Sequence, residues 1–106
     1  MPFIKLKNIE EKEIVPGYKA RFIHSENMTI ASWNIKKGYF LPEHSHHHEQ
    51  LSCVTEGEFE LTLNGKTQVL NSGKIAVIPS NAKHSGKAIT DCKIIDIFNP
   101  VREDYK

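Results

Sequence analysis

The sequence predicts an all-β domain, and three observations carry the prediction. Apolar and polar residues alternate with a period of two through most of the chain, the pattern of side chains that face opposite ways along a strand. Gly, Pro and Asn recur between the short alternating runs, where turns need them. No window joins a helical period to helix caps. A chain of 106 residues has room for one core. Many short strands in one domain over residues 1–106 therefore read as a small sandwich or barrel.

Residues 8–15 allow a helical turn, which Pro16-Gly17 ends. Strands follow at 20–24, 28–36, 42–46 and 50–56. The clearest alternation lies in 58–70, where Phe59, Leu61 and Leu63 interleave with Glu58, Glu60 and Thr62. Asn64-Gly65 is a two-residue hairpin turn, and Thr67 and Val69 continue on the return strand. After the turn Asn71-Ser72-Gly73 comes an apolar strand, Ile75 to Ile78, which stops at Pro79. Residues 93–98 form the last strand. There Ile94, Asp96 and Phe98 share one face while Ile95 and Ile97 share the other. Both faces are apolar enough to leave open which one looks inward.

Charge excludes some functions. Fourteen basic residues are scattered among 13 acidic ones for a net charge of +1, and no basic stripe suggests nucleic acid. No apolar run is long enough to span a membrane as a helix. The start, Met1 to Lys5, lacks a signal-peptide pattern, so a cytoplasmic location is expected. Cys53 and Cys92 lie far apart in apolar stretches without CxxC spacing and read as buried free thiols.

Four of the six histidines fall at 44, 46, 47 and 48. On a strand, His44 and His46 point to the same face and can grip one metal ion. An extended chain would carry Gln50 roughly 20 Å from His44, whereas ligand atoms lie about 2 Å from a shared ion. Gln50 can join them only if the chain doubles back through His47, His48 and Glu49. His84 follows a strand, Pro79 and a turn at Asn81-Ala82-Lys83, which would return it to the same end of a barrel. His24 has no evident partner and reads as structural.

These spacings resemble the two signatures of the cupins. Gly38, five residues, His44-Ser45-His46, three residues, Gln50, six residues and Gly57 match the first, which has Glu where this chain has Gln50. Gly73, five residues, Pro79, one residue, Asn81, two residues and His84 match the second, with Asn81 at a glycine position. Asn tolerates the left-handed backbone expected there. The resemblance implies a jelly-roll barrel and one divalent transition metal on His44, His46, Gln50 and His84. Donors of this type admit Zn, Ni, Mn, Fe or Co.

A narrower resemblance joins Pro42 to Gln50 with Asp96-Ile97-Phe98-Asn99-Pro100-Val101-Arg102. Together they are similar to small cupins of pectin and alginate breakdown, which convert 4,5-unsaturated uronate monosaccharides to an open-chain keto acid. Their ligand set of three histidines and a glutamine accounts for Gln50. His47 stands where they commonly have proline. The resemblance implies catalytic roles for Asp96, Phe98 and Arg102, an acidic-sugar substrate and a homodimer. Read alone, Asp96 is either a satisfied structural carboxylate or a pocket acid, and Arg102 is either a surface arginine or a fork for a substrate carboxylate. Trp33, Tyr39 and Phe40 are either core or dimer contacts or a sugar-stacking surface. A cupin dioxygenase, a sugar isomerase or a ligand-binding cupin without catalysis remains compatible with the two signatures.

Overall fold

Each alternating segment becomes a strand in the computed structural model, which describes residues 3–106. The strands are β1 (Lys12–Val15), β2 (Tyr18–His24), β3 (Thr29–Ile35), β4 (Phe40–His44), β5 (Glu49–Glu56), β6 (Phe59–Leu63), β7 (Lys66–Leu70), β8 (Ile75–Ile78), β9 (His84–Ala88) and β10 (Cys92–Asn99). They form a six-stranded sheet in the order β1-β2-β3-β10-β5-β8 and a four-stranded sheet in the order β4-β9-β6-β7. All pairings are antiparallel, so the alternation of each strand sorts residues into a buried and an outer face.

The core lies between the sheets. From the larger sheet come Tyr18, Ala20 and Phe22, then Ala31, Trp33 and Ile35, with Val54, Ile78, Ile94 and Phe98. Phe59, Leu61, Leu70 and Ala88 meet them from the smaller sheet. β10 settles the parity left open by its sequence: Ile94, Asp96 and Phe98 point inward, and Ile95 and Ile97 point outward. On the outer face Ile23, Ile30, Ile97, Leu51 and Val77 stand in register across five strands. Val77 and its neighbour Ile75 are 61% and 58% exposed.

Several boundaries differ from expectation. The helical turn expected in residues 8–15 is a short 3-10 turn at Leu6–Asn8, and residues 12–15 pair with β2 instead. β-branched Ile14 and Val15 favour that pairing, and Pro16-Gly17 serves as a hairpin turn with Gly17 at φ +80°. β4 begins at Phe40 and ends at His44, so His46 sits in the connection to β5 rather than on the strand. The strand at His84–Ala88 gave no alternating signal because Ser85, Gly86 and Lys87 are not apolar. Tyr39 and Phe40 are exposed, whereas Trp33 is buried. Both cysteines are free, Cys92 buried and Cys53 half-buried. No helix among the described residues is long and apolar enough to cross a membrane.

Asn81 takes the left-handed conformation expected of it, with φ 65°. A β-branched residue there should cost about 1–2 kcal/mol, while glycine should be accommodated. In urea titrations Asn81→Val is therefore expected to lower the unfolding midpoint and Asn81→Gly to leave it nearly unchanged. Equal midpoints for Asn81→Val and wild type would show that the turn does not need this conformation.

Candidate metal centre

Strand pairing gathers the histidines. His44, the last residue of β4, is the register partner of His84, the first of β9, and their ring centroids lie 4.2 Å apart. His46 arrives from the β4–β5 connection, 5.1 Å from the His84 ring. That connection is fastened to the turn before β9, because the Asn81 N–H donates to the His46 carbonyl at 2.8 Å. One ligand atom from each of the three histidines lies within 4.8 Å of the others. The opposite sheet supplies Gln50 from β5, whose Oε1 is 3.1 Å from Nε2 of His46.

The three rings are held in one tautomer. Nδ1 of His44 faces the Pro42 carbonyl at 2.9 Å, that of His46 the His48 carbonyl at 3.1 Å, and that of His84 the Ala82 carbonyl at 2.9 Å. A carbonyl can only accept, so each Nδ1 carries the proton and each Nε2 keeps its lone pair. Burial, reinforced by Arg102 and the neighbouring histidines, pushes His46 down to about 4. Burial also lowers His84. Nε2 of His46 and Oε1 of Gln50 are then two acceptors in contact, satisfied by a cation between them or by an amide turned over to donate. The residues fit one divalent ion of the kind nitrogen and amide-oxygen donors hold.

Next to this cluster, Asp96 is buried in register between Ala31 of β3 and Ser52 of β5. Burial raises its carboxyl to about 6, against the opposing pull of Ser52, Gln50, Trp33 and Arg102. Its Oδ1 and the Trp33 Nε1 are buried and make no hydrogen bond of normal geometry among the described residues, although Trp33 lies near enough to favour the ionised carboxyl. Arg102 is 7% exposed, and its guanidinium carbon lies 4.6 Å from the centroid of the Phe98 ring and 4.1 Å from that of Tyr105.

All of these groups line one cavity of about 300 Å³, with Leu41, Phe59 and Leu61 as its apolar side. That is the small end of the range for ligand cavities. A more open cleft of about 380 Å³, at the Lys93 end of β10, mixes Lys19, Lys36 and Lys93 with Glu13, Glu56 and Asp91. None of His44, His46 and His84 lines that cleft.

The structure thus brings together all seven residues singled out in the sequence: His44, His46, Gln50, His84, Asp96, Phe98 and Arg102. Sequence reasoning missed Ser52, although it shares parity with Gln50. It gave no role to His48, which lies in the expected turn and is buried against His46 and Phe98. Trp33 lines the cavity, and Tyr39 and Phe40 do not. His24 does find a partner, the Thr29 hydroxyl at 2.8 Å.

Known proteins bear out the architecture. The chain is 27% identical over 97 residues to the pectin degradation protein KdgF of Dickeya dadantii, covering 89% of this chain and 88% of that protein. The structure of KdgF from Halomonas sp. superposes with a TM-score of 0.93 at 26% identity, covering 100% of this chain and 99% of the other. An RmlC-like cupin from Shewanella frigidimarina gives 0.94 at 29% identity, over 100% and 96% of the two chains. The cupin domain pattern itself matches residues 31–98, and the chain belongs to the cupin domain family.

Proposed function

We propose that this protein is a metal-dependent cytoplasmic enzyme that converts 4,5-unsaturated uronate monosaccharides to the linear keto acid. The observation that carries the reading is the convergence of a buried acid, a guanidinium and a histidine triad on one cavity. The similarity to a pectin degradation protein supports the substrate class.

His44, His46, Gln50 and His84 would hold one ion of Zn, Ni, Mn, Fe or Co. These donors are uncharged when they ligate, so the bound ion would keep its full charge and supply Lewis acidity toward sugar oxygens. Arg102 offers planar N–H donors to the substrate carboxylate. Phe98 forms an apolar wall beside it. Asp96 is the group that moves protons. Ionised, it takes the proton of the anomeric hydroxyl while the ring C–O bond breaks, leaving an aldehyde and an enolate. Protonated, it returns that proton to the ring carbon that becomes a methylene, and the enolate becomes a ketone. Atoms balance, and no redox partner is needed. A carboxyl raised to about 6 exchanges protons readily near neutral pH.

We also propose that the working form is a homodimer closed on the outer face of the six-stranded sheet. The aliphatic row from Ile23 to Val77 supports this surface.

Purified protein mixed with an unsaturated uronate is expected to speed the loss of its C=C absorbance over the spontaneous rate, and EDTA to abolish the gain. Acceleration that persists without metal, or no acceleration with metal bound, would sink the reading. Asp96→Asn is expected to keep metal and lose at least about 100-fold in turnover.

The same substitution should stabilise the metal-free fold. The folded carboxyl titrates near 6 and the unfolded one near 4. The unfolded chain therefore ionises first as pH rises, and native stability falls between these values. Relative to its effect at pH 4, Asp96→Asn should gain up to about 3 kcal/mol above pH 6, read from urea titrations at both pH values. A constant difference would show that Asp96 ionises freely. For the dimer, light scattering should give twice the chain mass for wild type and a monomer for Val77→Lys. A wild-type monomer at micromolar concentration would contradict it.

A further inference from the structure

Arg102 is held in a way that the proposed reaction does not by itself require. Its backbone N–H donates to the hydroxyl of Thr29 at 2.8 Å, and Thr29 is fully buried. Its guanidinium sits in the corner between Phe98 and Tyr105, whose rings are inclined at 71°. Tyr105 is itself stacked on Phe22, with centroids 4.5 Å apart. These contacts fix where the guanidinium lies; the rings by themselves do not set its rotation in its own plane, to which the Tyr105 hydroxyl contributes less than Asp104 does.

Asp104 removes that rotation. Nε of Arg102 donates to its Oδ1 at 3.0 Å and Nη2 to its Oδ2 at 2.8 Å, a two-bond fork along one edge of the guanidinium. The Nη1 group makes no hydrogen bond among the described residues and is not sealed from solvent. The residue lines the cavity. One edge is thus committed, and the adjacent Nη1–Nη2 edge keeps free donors in the geometry a second carboxylate needs. The Asp104 side chain is 57% exposed, and an ion pair with so exposed a partner contributes little to folding. Orientation, rather than stability, is what this pair can supply. It also offsets the guanidinium's charge beside a cluster that is to receive a cation.

We infer that Asp104 is a positioning residue, which turns the Arg102 guanidinium so that its free edge receives the carboxylate of an acidic sugar. The inference rests on the reading of Arg102 as the carboxylate site, and a binding measurement separates the two. Zinc-loaded wild type, Asp104→Ala and Asp104→Glu are titrated calorimetrically with D-galacturonate and with D-galactose, its carboxylate-free counterpart. Asp104→Ala is expected to weaken galacturonate about tenfold, close to 1.4 kcal/mol, and to leave galactose unchanged. Asp104→Glu should restore most of the loss. With the unsaturated substrate, KM should rise about tenfold in Asp104→Ala, with kcat changed far less.

Galacturonate affinity that is unchanged or tighter in Asp104→Ala would overturn the inference, the tighter case meaning that Asp104 competes for the guanidinium. Galacturonate bound by wild type no better than galactose would overturn it as well. If galacturonate binding responds as expected while wild type leaves the unsaturated uronate untouched, the orienting role stands and the proposed reaction falls. Turnover by wild type with no Asp104 effect is the reverse case.

Discussion

Asp96 faces the cavity because β10 is clamped in register on both sides. β3 pairs with it from Cys92 to Phe98, and β5 pairs with its other edge. A slip of one residue would turn Ile95 and Ile97 inward and send Asp96 and Phe98 to the outer face. The same register sets Gln50 beside Phe98 and Ser52 beside Asp96. Because β10 lies in the interior of its sheet, its alternation decides which chemistry enters the barrel. The smaller sheet answers with His44 and His84, paired with each other at its end. Neither sheet alone carries the whole set.

The cavity is costly in the way functional sites often are. The His84 ring is shielded from water, and the Asp96 carboxyl is buried with one oxygen unpartnered. A hydrophobic core of the same shape would be more stable. What offsets this is local and inexpensive: carbonyls two residues away hold each ring, and Leu41, Phe59, Leu61 and Ile94 surround the polar groups. The three rings are fixed by backbone that the strands and turns already hold in position. Little side-chain freedom remains to be lost when a ligand arrives.

Most of the architecture was legible in the sequence because alternation is a local signal and the turns use Gly, Pro and Asn. Asn81 was readable through the backbone conformation it tolerates. His46 was grouped with His44 and His84 for an incomplete reason: two-residue spacing suggested a common strand face, whereas the strand ends at His44 and a hydrogen bond from Asn81 brings the loop round. Such a contact joins residues 35 positions apart and leaves no trace in periodicity. β9 was invisible because a strand holding glycine and lysine does not alternate. Gly86 is needed there because a Cβ would come 2.2 Å from the Phe59 ring, a constraint that resides in the partner strand. The Asp104 fork escaped notice for a different reason, since an acid two residues from an arginine in a polar tail is ordinary surface chemistry.

The hydrogen bond from Asn81 to His46 also links the lengths of two loops. Residues 45–48 and 79–83 touch through Asn81 and through the Ser80 hydroxyl, which donates to the His47 carbonyl. Neither loop can grow or shrink alone without moving a histidine. In a lineage of such barrels, insertions at this rim should arise in both loops together or in neither.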